Sequence, residues 1–429
     1  MMFSKLMFKL LKIVACTTGA GLPARFRPSG RPRRPSVFEP SQPGNARPFR
    51  RERVAKMGAL SLTPATESPA IAAQWPDTGH FHEWRSRLRH GVLAHLVGFV
   101  GPRRRELDDT RVDAAGDILM SYVSGGKCLR STFVYLGWLC GAAPGEAALR
   151  AAASFELLHV FALLQDDVMD GSAERRGRPS AHLRFARWHR ERGLSGSSRR
   201  FGESAAILLG DLCLIWSEQM LRESGVDSTR LHRAWPRYDT MRTELAVGQF
   251  ADLTSDVRQM PSLEAVLDVA RRKSGNYTVR RPLEIGAAMS DCDDRTLTQL
   301  GRYGAAVGEA FQLRDDVLGV FGSPATTGKP CAGDLRERKA TSLVVTAHQL
   351  ADAPARAELA ALMTGRTLDD EAIGRWKALI VASGAVEMIE EMISDRVAAA
   401  REHLGGAPIA EPVRAALDQM ATACTDRAE

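Results

Sequence analysis

From Trp75 onward, apolar residues return at helical spacing in one long stretch after another, and no βαβ alternation interrupts them. Phe81, Trp84, Leu88, Val92, Leu93 and Leu96 share one face of the first stretch. Gly, Pro and Asp punctuate the boundaries, at 141–144, 193–198, 261–262 and 322–329. Composition agrees. The chain is 44% hydrophobic but only 6% aromatic, and it is dominated by good helix formers rather than strand-like runs. This pattern predicts one all-α domain over residues 75–429, a bundle of roughly ten or more helices.

The net charge of +7 comes from one end of the chain. Thirteen Lys/Arg against Glu39 and Glu52 put residues 1–56 at +11, which leaves residues 57–429 at −4. A basic nucleic-acid-binding surface on the globular part is therefore not expected. Residues 1–20 have the spacing of a short basic amphipathic helix able to lie on a membrane. Lys9 and Lys12 interrupt the apolar core that a secretory signal would need. Residues 1–74 read as a disordered basic extension, rich in Pro and Arg over 21–74. Two readings of it stand: a tail for weak membrane or protein docking, or translated upstream sequence with the natural start at Met57. The seven cysteines are scattered with no CxxC pair, so neither a zinc site nor a disulfide framework is indicated and a cytoplasmic setting is expected.

Chemistry concentrates in three short segments. Leu163-Leu164-Gln165-Asp166-Asp167-Val168-Met169-Asp170 ends a strongly apolar helix, with Asp166 and Asp170 one turn apart on a shared face. A divalent cation removes the repulsion of such a cluster, and Mg²⁺ suits hard oxygen donors while leaving positions for phosphate oxygens. Arg175-Arg176-Gly177 follows at once and supplies two guanidiniums matched to diphosphate. A second acidic pair, Asp315-Asp316, ends another apolar run (Leu300, Ala305, Val307, Phe311), so two acidic helix ends are expected to face each other across a cavity. Gly125-Gly126-Lys127-Cys128-Leu129-Arg130 pairs two cations with a close-approach backbone, which suits a metal-free anion site. Taken singly, each segment has a plainer reading as a solvated helix end or an ordinary helix start.

Together, GGKxxR, DDxxD followed by RRG, a KSG-Y-T segment, QLRDD and a downstream GKP resemble the trans-isoprenyl diphosphate synthases, from about Trp75 to the C-terminus. The resemblance implies an isoprenoid-synthase-like helical bundle around a deep central cavity, usually a homodimer. It also implies a prenyltransferase that ionises an allylic diphosphate, adds isopentenyl diphosphate and loses a proton, with Mg²⁺ as cofactor. By the same resemblance, Asp166, Asp170 and Asp315 are metal ligands, supported by Asp167 and Asp316. Lys127, Arg130, His159 and Arg176 hold isopentenyl diphosphate. Arg175, Lys273, Ser274, Gln312, Lys329 and Lys339 serve the allylic diphosphate, with Lys273, Ser274 and Gln312 nearest the chemistry. Phe161 and Ala162, just upstream of the first cluster, set product length and resemble geranylgeranyl diphosphate synthases, with a farnesyl product as the alternative.

The sequence departs from the family pattern at Cys128, Gly319, Gly333 and Ala340. A terpene cyclase shares the first acidic motif but needs no second diphosphate site, so Lys127, Arg130 and Arg176 argue against it. A non-catalytic partner or cargo protein docking through its tail is the remaining alternative.

Overall fold

The computed structural model describes residues 74–77, 79–108, 112–254, 260–322, 332–365 and 368–426, all within Thr66–Glu429, the second of the two units into which the chain divides. The expectations for residues 1–73, and Lys329 with its GKP segment, lie outside the described residues.

The fold is all-α apart from one tiny hairpin. The first helices are α1 (Phe81–Asp108), α2 (Ala114–Val123), α3 (Leu129–Leu139) and α4 (Glu146–Met169). Strands β1 (Glu174–Arg175) and β2 (Arg178–Pro179) follow, then α5 (Ala181–Glu191), α6 (Ser198–Arg222) and α7 (Ser228–Leu253). Next, α8 (Leu263–Ala270) runs without a break through a wide π-helical segment, Arg271–Arg280, into α9 (Arg281–Met289). The C-terminal part comprises α10 (Asp294–Phe321), α11 (Gly333–Arg336), α12 (Ser342–Leu350), α13 (Ala353–Thr364), α14 (Asp370–Ala382), α15 (Ala385–Gly405) and α16 (Glu411–Thr425).

The helix starts follow local chemistry. Ser197, Asp227, Ser262, Asp293, Thr341, Asp352 and Asp369 each accept a hydrogen bond from a backbone N–H of the first turn that follows. The face predicted for the first helix is real: Phe81, Trp84, Leu88, Val92 and Leu96 are buried and Leu93 packs partly against them. Helix α4 is apolar nearly all round because it is the core helix, packed against α1, α3 and α6. By length and composition α4 and α6 would each be able to cross a bilayer, but most of α4 is buried within the protein. A second apolar cluster gathers around the C-terminal half of α10, with Leu335, Leu343, Trp376 and Ile389 at its centre.

Three glycines set how closely the site-bearing helices approach. A Cβ at Gly275, in the π segment, would lie 3.0 Å from the carbonyl carbon of Gly308 on α10, and one at Gly308 would lie 2.7 Å from the Gly275 oxygen. On the other side, a Cβ at Gly248 of α7 would lie 2.6 Å from the Lys273 amide nitrogen. The π segment is thus pressed backbone to backbone between α7 and α10, with no room for a side chain. Gly308→Ala is expected to destabilise the fold by about 1–3 kcal/mol through overpacking. Urea unfolding checks this, and an unchanged midpoint would show that the contact is not tight.

Candidate active site

The end of α4 carries the first acidic cluster, and its three aspartates have different fates. Asp167 has no exposed surface. Its Oδ1 accepts from Arg175 Nε at 2.8 Å and Nη2 at 2.5 Å, and its Oδ2 accepts from the Tyr122 hydroxyl at 2.8 Å. It is a buried, fully paired charge. Asp166 accepts from Arg175 Nη2 at 3.3 Å and lies 3.3 Å from Lys273 Nζ. Burial alone would raise the Asp166 carboxyl, but Lys273, Arg175 and Lys339 together hold it below the ordinary carboxylate range. Asp170, the C-cap of α4, goes the other way. Burial and then repulsion from Asp166 raise its pKa, against the opposing pull of Lys339 and Lys273.

Lys273 leaves the π segment and reaches two carboxylates, Asp166 and Asp252, the latter at 2.6 Å. A π turn widens the helix and redirects the side chains it carries, a distortion frequent at functional sites. Asp252, near the end of α7, belongs to a Gly248-Gln249-Phe250-Ala251-Asp252 run that the sequence reading missed. The signal was there: a Gly-Gln pair and an acid three residues on, in an otherwise amphipathic helix. Ser274, next to Lys273, is half-buried.

Arg175 and Arg176 sit on the β1–β2 hairpin, whose register pairs Glu174 with Pro179 and Arg175 with Arg178. The two-residue turn is Arg176-Gly177, with φ of 54° and 70°. A turn with φ positive at both central positions matches the strand twist, which explains the glycine and places Arg176 in the strained left-handed region. Arg176 Nη1 donates to the Tyr122 carbonyl at 3.0 Å. Its guanidinium lies over Gly125, where a Cβ would stand 2.7 Å from Nη1. The glycine pair of GGKxxR therefore makes room for a guanidinium.

Lys127 does not share a helical turn with Arg130, because it lies in the exposed loop before α3, and the helix starts only after Cys128, itself at φ 50°. Arg130 donates to Thr278 Oγ1 at 2.9 Å and stacks 4.3 Å from the Tyr277 ring centre. Its Nε and the Nδ1 of His159 are both enclosed without a hydrogen-bond partner. Enclosure, then Arg130, Arg176 and Arg175, push the His159 pKa well below its usual value, so the imidazole is neutral. Two orphaned nitrogens beside a guanidinium cluster describe a place built for an anion. An open cleft of about 470 Å³, lined by residues including Tyr122, Gly125, Arg175, Arg176 and Arg184, adjoins it. A larger open cleft of about 740 Å³, between Arg237, Arg281 and Gly301, contains none of the motif residues.

The second acidic segment is not a helix end, since α10 continues to Phe321. Asp316 is buried, accepting from Gln312 Nε2 at 2.8 Å and from the Ser342 amide and hydroxyl at 2.9 and 2.6 Å. Burial raises its pKa to about 6. Asp316 thus ties α10 to the start of α12, and Gln312 is turned toward it. Asp315 is half-buried beside it. Lys339, in the turn after α11, lies 3.4 Å from Asp170 Oδ2 and 2.8 Å from Glu337. Phe161 and Ala162 are half-buried on α4, between one and two turns before Asp166.

A profile of the polyprenyl synthetase family matches residues 113–380. The chain belongs to the polyprenyl synthetase family. A geranylgeranyl diphosphate synthase of Mycobacterium tuberculosis is 34% identical over 69% of this chain and 79% of its own length. A (2E,6E)-farnesyl diphosphate synthase of the same species is 31% identical over 58% and 67%. Among solved structures, a geranylgeranyl pyrophosphate synthase from Corynebacterium glutamicum, complexed with isoprenyl diphosphate and magnesium, matches with a TM-score of 0.75. It is 35% identical to this chain, covering 80% of it and 99% of that protein. Prenyl transfer is the activity of this polyprenyl synthetase.

Two outcomes follow from the geometry. Arg175→Ala leaves Asp167 buried with Tyr122 alone and is expected to cost about 3 kcal/mol. Adding Asp167→Asn should recover part of this by removing the unpaired charge, which chemical unfolding of both variants will show. For His159, the folded pKa lies below the unfolded value of 6.5. The unfolded chain then binds the extra proton first, so stability is full above pH 6.5 and falls as the pH drops below it. Asp316 contributes the opposite slope between its unfolded value of 3.8 and about 6. The comparison of Tm against pH for wild type and His159→Gln isolates the histidine: the variant should lose less stability on acidification from pH 7 to 5.

Proposed function

We propose that the protein condenses isopentenyl diphosphate with allylic diphosphates, using Mg²⁺, and releases geranylgeranyl diphosphate. The observation that carries this reading is the pairing of two unlike half-sites. One is an acidic cleft that needs a cation, and the other is a guanidinium-rich pocket with orphaned donors that needs an anion.

The donor set suits Mg²⁺. Asp166 and Asp170 offer hard oxygens one turn apart, and among the described residues no group of three or more His, Cys, Asp or Glu side chains could by itself hold a metal ion. A Mg²⁺ ion would be held by Asp166 and Asp170, the few-carboxylate kind of protein site that suits this ion. When bound, it neutralises the leaving diphosphate. The residues of this chain do the rest. Lys273, Lys339 and Arg175 are placed to share the charge that develops as the allylic C1–O bond breaks and its electron pair leaves with diphosphate. Arg130, Arg176 and neutral His159 hold the second diphosphate, with Lys127 at the rim. The isopentenyl double bond then attacks the allylic carbon and a proton is lost.

A bulky Phe161, half-buried on α4 five residues before Asp166, favours a geranylgeranyl product in this reading, and farnesyl diphosphate is the second reading, since similar relatives carry both names. A homodimer is supported by Leu208 and Ile215, which are large, exposed and two turns apart on α6. Free thiols at Cys128, Cys140, Cys213, Cys292 and Cys424 are compatible with a cytoplasmic setting. The purified chain with Mg²⁺, labelled isopentenyl diphosphate and dimethylallyl, geranyl or farnesyl primer should give geranylgeranyl diphosphate. Phe161→Ala should lengthen the product. A folded protein that extends none of the primers would refute the enzyme reading, and an unchanged product from Phe161→Ala would refute the role of that ring.

A further inference from the structure

Glu244 stands on α7 two turns before Asp252, about 12 Å from it along the helix axis. Its Oε2 accepts from Asn276 Nδ2 at 3.2 Å and from Arg281 Nε at 2.9 Å, and its Oε1 accepts from Arg281 Nη2 at 2.6 Å. Arg281 also donates from Nη1 to Glu284 at 2.6 Å. The group is largely shielded from water. The side chains of Glu244, Arg281 and Glu284 are 20%, 14% and 8% exposed, and Asn276 is buried.

Asn276 and Arg281 are five residues apart. On an α-helix that spacing turns two side chains about 140° away from one another, so one carboxylate on a neighbouring helix would not reach both. A π turn, closed by i→i+5 bonds, brings them back toward one face. Such a bond joins these same two residues, the Arg281 N–H donating to the Asn276 carbonyl. Glu244 therefore spans from outside the turn that the backbone widens from within. Relaxing that turn to α geometry would pull one of the two contacts away. It would also rotate the residues N-terminal to the turn, Lys273 included, relative to α9. With the turn wide, Lys273 reaches both Asp166 and Asp252.

We propose that Glu244 is a positioning residue for prenyl transfer: by holding Asn276 and Arg281 on one face it fixes the π register, and so aims Lys273 at the acidic cleft. Glu244 is set back from that cleft and acts through Lys273. This rests on the role proposed above for Lys273 at the allylic diphosphate.

The test is steady-state kinetics of full-chain variants with Mg²⁺, isopentenyl diphosphate and an allylic primer, with Tm and amide hydrogen exchange of residues 271–281 read alongside. Glu244→Ala, assayed where it is folded, should lower kcat by about tenfold or more while both KM values stay within about threefold. A displaced ammonium is missed chiefly in the transition state. Exchange across 271–281 should quicken by about tenfold. Glu244→Gln should stay within a few-fold of wild type. Its Oε1 still accepts from Arg281, whose charge Glu284 still pairs, and its Nε2 can donate to the partnerless Asn276 Oδ1 once that amide turns over. A Glu244→Ala protein with a lowered Tm but unchanged kcat would reduce Glu244 to packing and overturn the proposal. A Glu244→Gln enzyme as slow as Glu244→Ala would overturn it as well. Where Glu244→Ala does not fold, Asn276→Ala removes one contact and leaves the ion pairs; the same fall in kcat is expected, and an unchanged kcat overturns the proposal. A wild type that extends no primer would sink the catalytic reading and the positioning role with it. An active wild type beside an equally active Glu244→Ala would sink the positioning role alone.

Discussion

A carboxylate with no exposed surface, Asp167, sits at the end of the apolar core helix α4, and much of the site is arranged to keep it there. An uncompensated charge in that position would cost several kcal/mol. Arg175 and the Tyr122 hydroxyl pair with it, and that hydroxyl also accepts from the Ala181 amide at 3.1 Å. One charge thereby ties the end of α4 to α2, to the hairpin and to the start of α5. Because Asp167 turns inward, the helical repeat leaves Asp166 and Asp170 on the cleft side. Because Arg175 is fixed in β1, the tight turn that follows throws Arg176 over the glycines before α3.

The cleft then has two complementary deficits. On the acidic side, Lys273 stands between Asp166 and Asp252, and Lys339 between Asp170 and Glu337. These ammoniums ease a repulsion that burial makes worse, as the raised pKa of Asp170 shows. On the basic side, guanidiniums are stacked and partly bonded, while Arg130 Nε and His159 Nδ1 lack any partner. A neutral imidazole there donates or accepts without adding to a cluster already rich in positive charge. The two sides face different demands because the reaction they suit brings two diphosphates together, only one of which must leave.

The wide helical segment Arg271–Arg280 joins these halves. It carries Lys273 to the acidic side, and Tyr277 and Thr278 to Arg130. Its close backbone contacts with α7 and α10, made through glycine, leave little freedom to shift. Rigid placement matters more here than the strength of any single bond, since misplacement by an ångström is costly in catalysis.

Sequence alone determined the all-α class, the helix faces and the five motif elements, because periodicity and short spacings are local properties of the chain. It also marked Asp166, Asp170, Arg175 and Arg176 correctly as neighbours, since they lie within a dozen residues. It did not separate the buried Asp167 from its flanking partners, because burial depends on which helix lies opposite. Nor did it reveal Asp252 against Lys273, Gln312 turned onto Asp316, or Glu244 joining Asn276 to Arg281. Those relations arise where helices distant in sequence cross, at separations decided by glycine contacts and packing. The acid at 244 was visible from the start, but only the tertiary structure showed which two side chains it joins.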